Sequence, residues 1–254
     1  MGQLDNQTAV ITGGGSGIGF TLAERFHREG AQIVICGRRE EVLIEAAEKI
    51  SPGKERIRCI KADISEEQDI MRLMQAAVDW TNKIDILINN AAAMRINKPP
   101  QETSLEEWKG VIDTNITGAF LCCREAGKVM IAQKRGKIIN ISSISGGIVN
   151  KYFHGGSYEV SKCALNMLTK VLAVEWAPYN ITVNAVAPGY YDTQPNRDFF
   201  SKETGLYQKV LEMIPAGKLG DLEELSRLIL HLVTDPRNYL TGATITIDGG
   251  YTLW

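Results

Sequence analysis

The sequence is poor in what metal, disulfide and nucleic-acid chemistry require. Its three histidines, His27, His154 and His231, are scattered. Its five cysteines (Cys36, Cys59, Cys122, Cys123, Cys163) are odd in number and contain no C-x-x-C pair. Zinc needs clustered nitrogen and sulfur ligands, and a disulfide framework needs paired thiols, so no metal and no framework are expected. The thiols read as reduced, buried or half-buried groups of a cytoplasmic protein. Positive charge is not in excess: 28 Lys+Arg stand against 30 Asp+Glu, a formal net charge of -2. Without a basic stripe, neither nucleic acid nor an anionic membrane surface is expected as a partner. No apolar run approaches the roughly 18 residues that a membrane span requires. Met1-Gly2-Gln3-Leu4-Asp5-Asn6 lacks the basic and apolar regions of a secretory signal, and Asn6 stands where myristoylation favours Ser or Thr. No Pro/Gly/Ser-rich linker and no repeat divides the chain, so one domain is expected over residues 1–254.

What is present is alternation. Strand-like runs at 8–12, 32–36, 56–62, 84–89, 136–142, 181–187 and 243–248 alternate with helical stretches at 20–29, 42–50, 65–80, 105–130, 157–177 and 222–234. Ser65 with Gln68 predicts a capping box at the third helix. The alternation predicts parallel βαβ units. The expected fold is therefore α/β: a single Rossmann-like doubly wound parallel sheet of about seven strands, with helices on both faces. The least regular segment, 189–215, carries Tyr190, Tyr191, Phe199, Phe200 and Tyr207 among polar residues. An insert after a strand C-terminus is where a substrate lid is expected.

The first strand runs into Thr12-Gly13-Gly14-Gly15-Ser16-Gly17-Ile18-Gly19. Glycines let backbone N–H groups approach a phosphate, and the following helix N-terminus favours the anion. The G-x-G-x-x-G fingerprint fails at Phe20, but T-G-x-x-x-G-x-G fits through Gly13, Gly17 and Gly19. No lysine supports a Walker A loop. The second strand closes on Ile35-Cys36-Gly37-Arg38-Arg39, with no carboxylate before Glu40. A ribose 2′-OH is matched by an acid there and a 2′-phosphate by an arginine. Arg38, helped by Arg39, is thus the candidate 2′-phosphate ligand, the other reading being two solvated charges at a helix start. NADP(H) is the expected cofactor, with NAD(H) possible. Tyr158 and Lys162 lie four apart in a helical stretch and so share a face. A free phenol titrates near ~10 and is a poor base at neutral pH; a nearby ammonium stabilises its phenolate.

Over essentially its whole length the chain resembles the short-chain dehydrogenase/reductase family. The resemblance is carried by the turn at 12–19, Asp63-Ile64 and Asn89-Asn90-Ala91-Ala92, where Ala92 replaces the usual Gly. It continues through Asn115 in Asp113-Thr114-Asn115-Ile116-Thr117-Gly118 and through Asn140-Ile141-Ser142-Ser143. Tyr158-Glu159-Val160-Ser161-Lys162, Pro188-Gly189 with Thr193, and Asp248-Gly249-Gly250 complete it. The resemblance implies hydride transfer between a nicotinamide and a carbonyl or secondary alcohol. Tyr158 is then the general acid/base, Lys162 lowers its pKa and holds the nicotinamide ribose, and Ser143 polarises the carbonyl. Asn115 anchors a water that links Lys162 to solvent. Asp63 and Ile64 meet the adenine, and Gly13, Gly15, Ser16, Gly17, Ile18, Gly19, Asn90, Ala91, Pro188 and Gly189 line the cofactor. Thr193 and the backbone near Tyr191 hold the carboxamide.

One position is ambiguous. Counting thirteen residues back from Tyr158 lands on Ser145, whereas alignment on Asn140-Ile141-Ser142-Ser143 selects Ser143. Ser143 is preferred, because a strand fixes geometry better than a loop count. Substrate choice falls to 93–95, 147–154 and 190–207, and oxoacyl thioesters, keto-sugar acids, polyols and cyclic ketones all stay open. Arg95, Lys151, His154 and Arg197 either meet an acidic group or are solvated rim charges. The resemblance further implies a homotetramer or homodimer, with helices 105–130 and 157–177 pairing about a two-fold axis. Phe120, Leu121, Leu165, Leu168 and Leu172 suit that contact, and Tyr251-Thr252-Leu253-Trp254 is expected to dock on a neighbouring subunit. A catalytically silent NADP(H)-binding regulatory protein is the alternative, against which the intact Ser143, Tyr158, Lys162 and Asn115 speak.

Overall fold

Aliphatic and β-branched runs buried on both faces favour parallel strands covered by helices. The computed structural model describes residues 2–201 and 205–254, except the side chains at 195 and 199. It places β1 (Thr8–Thr12), β2 (Gln32–Gly37), β3 (Ile57–Lys61), β4 (Ile86–Asn89), β5 (Gly136–Ile141), β6 (Ile181–Pro188) and β7 (Thr244–Ile247) in one sheet. The order is β3-β2-β1-β4-β5-β6-β7 and every ladder is parallel. The expected doubly wound architecture is thus present.

Successive strand residues point to opposite faces. Ile11, Ile33, Ile35, Ile88 and Ile139 pack under α1 (Gly17–Arg28), α2 (Glu40–Ile50) and a later helix at Leu222–Thr234, through Phe26, Leu43 and Ile229. Val10, Val34, Leu87, Ile138 and Val183 pack on the other side, under α3 (Glu67–Thr81), a helix at Ala119–Gln133 and one at Ser157–Trp176. The order reverses between β1 and β4, which opens a crevice beyond the strand C-termini where open α/β sheets take their ligands.

Local differences from the sequence expectation have identifiable causes. α3 begins at Glu67, and the box between Ser65 and Gln68 does not form. The Ser65 hydroxyl and N–H instead donate to Asp63 Oδ1, at 2.8 and 3.0 Å. A capping box forms one helix later, at α4 (Leu105–Ile112): Ser104 Oγ accepts from the Glu107 N–H, and the Glu107 carboxylate accepts from the Ser104 N–H. The expected 105–130 helix is split by a π-helical turn, Asp113–Gly118, before α5 (Ala119–Gln133). Gly118 packs so closely on the Ile64 carbonyl that a Cβ there would overlap it. α1 starts at Gly17, three residues before the expected start, so the glycine run supplies its first turn. After α6 (Ser157–Trp176), the segment 189–215 holds two short helices, α7 (Gln194–Phe200) and α8 (Leu206–Glu212). Part of that expected lid, residues 202–204, lies outside the described residues, as does the Phe199 side chain. α9 (Leu222–Thr234) matches its expected bounds. Among the described residues, no helix is long and apolar enough to cross a membrane.

Candidate active site

The glycine turn is braced from behind by the end of β4. The Thr12 hydroxyl accepts the N–H groups of Asn90 and Ala91, both at 3.0 Å. Asn90 Nδ2 donates to the carbonyls of Thr12 and Gly13, at 2.9 and 3.2 Å. Gly13 and Gly17 adopt φ of +66° and +53°, conformations that favour glycine. A Cβ on Gly19 would overlap the Gly13 carbonyl and Asn90 Nδ2. The Ser16 side chain makes no capping bond at the N-terminus of α1, which leaves that helix end open toward an anion.

The turn forms one end of a cavity of about 540 Å³. Gly13, Gly15, Ser16, Gly17, Ile18, Arg38, Arg39, Asp63, Ile64, Asn90 and Ala91 line it, with Pro188, Gly189, Tyr191 and Thr193 opposite. Gly19 is buried behind the wall and serves close packing. Arg38 and Arg39 are exposed, and neither forms an ion pair with another described residue. The donor set suits a dinucleotide: a backbone cradle at a helix N-terminus, two uncommitted guanidiniums and one carboxylate along a single cavity.

β5 and α6 build the other end. Lys162 is 3% exposed, and its ammonium donates to the Ile141 carbonyl at 2.8 Å. Burial lowers its pKa from 10.5 to about 8. Its Nζ sits 5.6 Å from the Tyr158 ring centroid. The Ser143 side chain lies beside the Tyr158 hydroxyl, and both line the cavity. Desolvation raises the phenol above its ordinary pKa; the Ser143 side chain and the Arg95 charge oppose this, and Glu159 adds to it. In the chain alone, burial therefore outweighs the cationic lowering anticipated at Tyr158. Ser145 is committed to other partners. Its hydroxyl accepts from Arg95 Nη2 and Asn150 Nδ2, at 2.9 and 2.8 Å. Ser143 is thus the serine with a side chain directed at the Tyr158 hydroxyl, while the Ser145 hydroxyl is held by Arg95 and Asn150.

Asn115 lies in the π-helical turn with its amide wholly engaged by protein. Its Oδ1 accepts the Ala93 N–H at 2.7 Å, and its Nδ2 donates to the Ala93 carbonyl and to Ser161 Oγ, both at 3.1 Å. The side chain ties the loop after β4 to α6 and does not line the cavity.

At the substrate end, Arg95 is no solvated rim charge. Its side chain is 14% exposed and ion-paired with Glu159, itself 9% exposed. Arg197 is a rim charge, held by exposed Asp192 at 2.6 and 2.8 Å. Lys151 and His154 are also exposed. Tyr190 packs on Phe200 and Tyr251, with centroids 6.0 and 5.3 Å apart. Tyr251 is therefore internal, and only Leu253 and Trp254, 82% and 78% exposed, remain as the apolar chain end. Leu121, Leu165 and Leu172 belong to the protomer's own interior, Leu168 is half-buried, and Phe120 is exposed. The sequence gives neither Glu159, inside the tyrosine motif, nor Asn150, inside the 147–154 segment, a role of its own. Glu159 was legible as a carboxylate one residue from the tyrosine, whereas Asn150 gave no signal.

Comparison with known proteins places this site among relatives. Residues 13–252 match a family model described as enoyl-(acyl carrier protein) reductase. The chain is 35% identical over 251 residues to an NAD-dependent glycerol dehydrogenase of Listeria innocua, covering 98% of this chain and 95% of that protein. A short-chain type dehydrogenase/reductase from Mycobacterium marinum superposes with a TM-score of 0.90 at 34% identity, covering 98% of this chain and 96% of that one. A gluconate 5-dehydrogenase from Burkholderia cenocepacia, in complex with NADP and tartrate, superposes with a TM-score of 0.91 at 31% identity, covering 99% and 97%.

Proposed function

The chain belongs to the short-chain dehydrogenase/reductase family of oxidoreductases, and from that premise we propose that it is an NADP(H)-dependent enzyme interconverting a carbonyl and a secondary alcohol. One observation carries the reading: the Tyr158 phenol, beside Ser143 and buried Lys162, opens on the same cavity as the glycine cradle. The cofactor would be held by the cradle at the pyrophosphate, by Arg38 and Arg39 at the 2′-phosphate, and by Asp63 and Ile64 near the base. Thr193 and the backbone near Tyr191 would hold the carboxamide. When bound, the nicotinamide supplies or accepts a hydride at the substrate carbon.

The chain's own residues manage the proton. The Ser143 hydroxyl donates to the substrate oxygen and polarises it. In reduction, Tyr158 gives its phenolic proton to that oxygen; in oxidation, the phenolate takes it back. Lys162 steadies the phenolate and bonds the nicotinamide ribose. Asn115 acts by position, fixing the loop after β4 against α6. Arg38 and Arg39, with no carboxylate at Gly37, support NADP(H) over NAD(H), although relatives named for either cofactor share this fold.

Arg95 and Arg197 are both neutralised within the chain, which favours an uncharged substrate such as a polyol, a keto-sugar or a cyclic ketone over an acid. Exposed Phe120, Met167, Val171 and Val174 on α5 and α6, with Leu253 and Trp254, support a homotetramer or homodimer, which light scattering at micromolar concentration tests. All five cysteines are unpaired, which fits a cytoplasmic location.

The test is NADPH and NADH oxidation against oxoacyl thioesters, keto-sugar acids, keto-sugars and cyclic ketones, with Tyr158→Phe as control. A general acid contributes about 10²–10⁴-fold, so the control is expected to lose that much turnover. Turnover preserved in Tyr158→Phe would overturn the assignment.

A further inference from the structure

Two cations, not one, stand beside the Tyr158 ring. Lys162 comes from the same helix, with Nζ 5.6 Å from the centroid. Arg95 comes from the loop after β4, with Cζ 5.4 Å from the same centroid. Arg95 is held there by several partners. It pairs with Glu159, donates to Ser145 Oγ at 2.9 Å, and lies over the Phe153 ring at 5.1 Å. Glu159 is fixed in turn, because its Oε2 accepts the Gly156 N–H at 2.9 Å. The arrangement is buried, so the charges act through little water and are weakly screened.

We propose that Arg95 and Glu159 form an opposed pair of positioning residues that sets how readily Tyr158 ionises, with Arg95 favouring the phenolate and Glu159 the phenol. The charged and titratable groups facing the phenol come from two elements: Lys162 and Glu159 on α6, and Arg95 on the loop after β4. The Ser143 side chain faces it from beyond the end of β5, and Tyr190, after β6, donates its hydroxyl to Asn150 Oδ1 at 3.1 Å. The Arg95 side chain is buried against the ring, and its pairing with Glu159 keeps it from acting at full strength. The sign of Tyr158's response therefore depends on which member of the pair is removed. This rests on Tyr158 being the acid–base group of the proposed reaction.

The test is a pH titration of the Tyr158 Cζ resonance in protein labelled with [4-¹³C]tyrosine, the signal being assigned by its loss in Tyr158→Phe. Arg95→Gln is expected to move the midpoint up and Glu159→Gln to move it down. The double variant, which keeps the pair's shape without its charges, should fall between them. Glu159→Gln retains an acceptor for Gly156, so it guards against a folding failure of Arg95→Gln. Identical midpoints in wild type and variants overturn the proposal. So does an Arg95→Gln effect confined to the KM of acid substrates, which would make Arg95 a substrate ligand. If the midpoints shift as expected while Tyr158→Phe keeps its turnover, the electrostatic couple stands and the acid–base assignment falls.

Discussion

Replacing Lys162 by methionine should remove activity and, at neutral pH, not weaken the fold. The ammonium titrates at about 8 instead of 10.5 because it is buried. At about 1.36 kcal/mol per pH unit, keeping it charged at pH 7 costs the fold about 3 kcal/mol. Methionine removes that cost but also the bond from Nζ to the Ile141 carbonyl at 2.8 Å. Losing a charged donor and leaving the carbonyl unpaired costs about 1–3 kcal/mol. The net change at pH 7 is then between about 0 and 2 kcal/mol of stabilisation. The pH dependence separates the two contributions. Between pH 8 and 10.5 the unfolded lysine binds a proton that the folded one has released, so wild-type stability rises with pH across that window. The variant lacks this rise. Its advantage should therefore shrink by about 2 kcal/mol from pH 7.5 to pH 10. Urea unfolding of both proteins at matched concentration reads the difference at each pH. An advantage that stays constant over the window would refute the claim that the lysine is buried as a strained cation.

Gly19→Ala drives a methyl into the Gly13 carbonyl and Asn90, so NADPH affinity by fluorescence titration should fall at least about tenfold; unchanged affinity would refute the tight-cradle reading. Arg38→Asp should weaken NADPH binding by about 10- to 100-fold, the value of one or two charge-assisted bonds, and improve NADH binding. A variant that still prefers NADPH removes Arg38 from that role. Ser143→Ala should lower kcat by about 10²–10³-fold with little change in Tm, while Ser145→Ala should lower Tm by releasing Arg95 and Asn150. The reverse pattern would return the polarising role to Ser145.

Strand positions were legible because buried parallel strands write continuous aliphatic runs, and β1 fell on its expected residues. Helix ends were less so. Ser65 has the composition of a cap, but Asp63 competes for its hydroxyl from two residues away, and side-chain competition of that kind leaves no mark in spacing. The π-helical turn was invisible for a similar reason: its Gly118 packs on the Ile64 carbonyl, a contact between segments far apart in sequence. The residues gathered around Tyr158 were nearly all named by motif. The charge state of the wall was not, since Arg95 is a surface-type residue whose partner Glu159 is 64 positions away along the chain.

The Thr12 hydroxyl accepts the backbone N–H groups of the two residues that follow β4, and Asn90 returns two bonds to the turn. The loop proposed to receive the pyrophosphate is thus laced to the central strands before any ligand arrives. Its conformational entropy is surrendered when the chain folds, so association has little loop ordering to oppose it. Amide exchange at Gly13 and Gly14, whose N–H groups donate to the Cys36 carbonyl, should already be slow in the ligand-free protein, while the uncapped amides at the N-terminus of α1 should gain protection on binding.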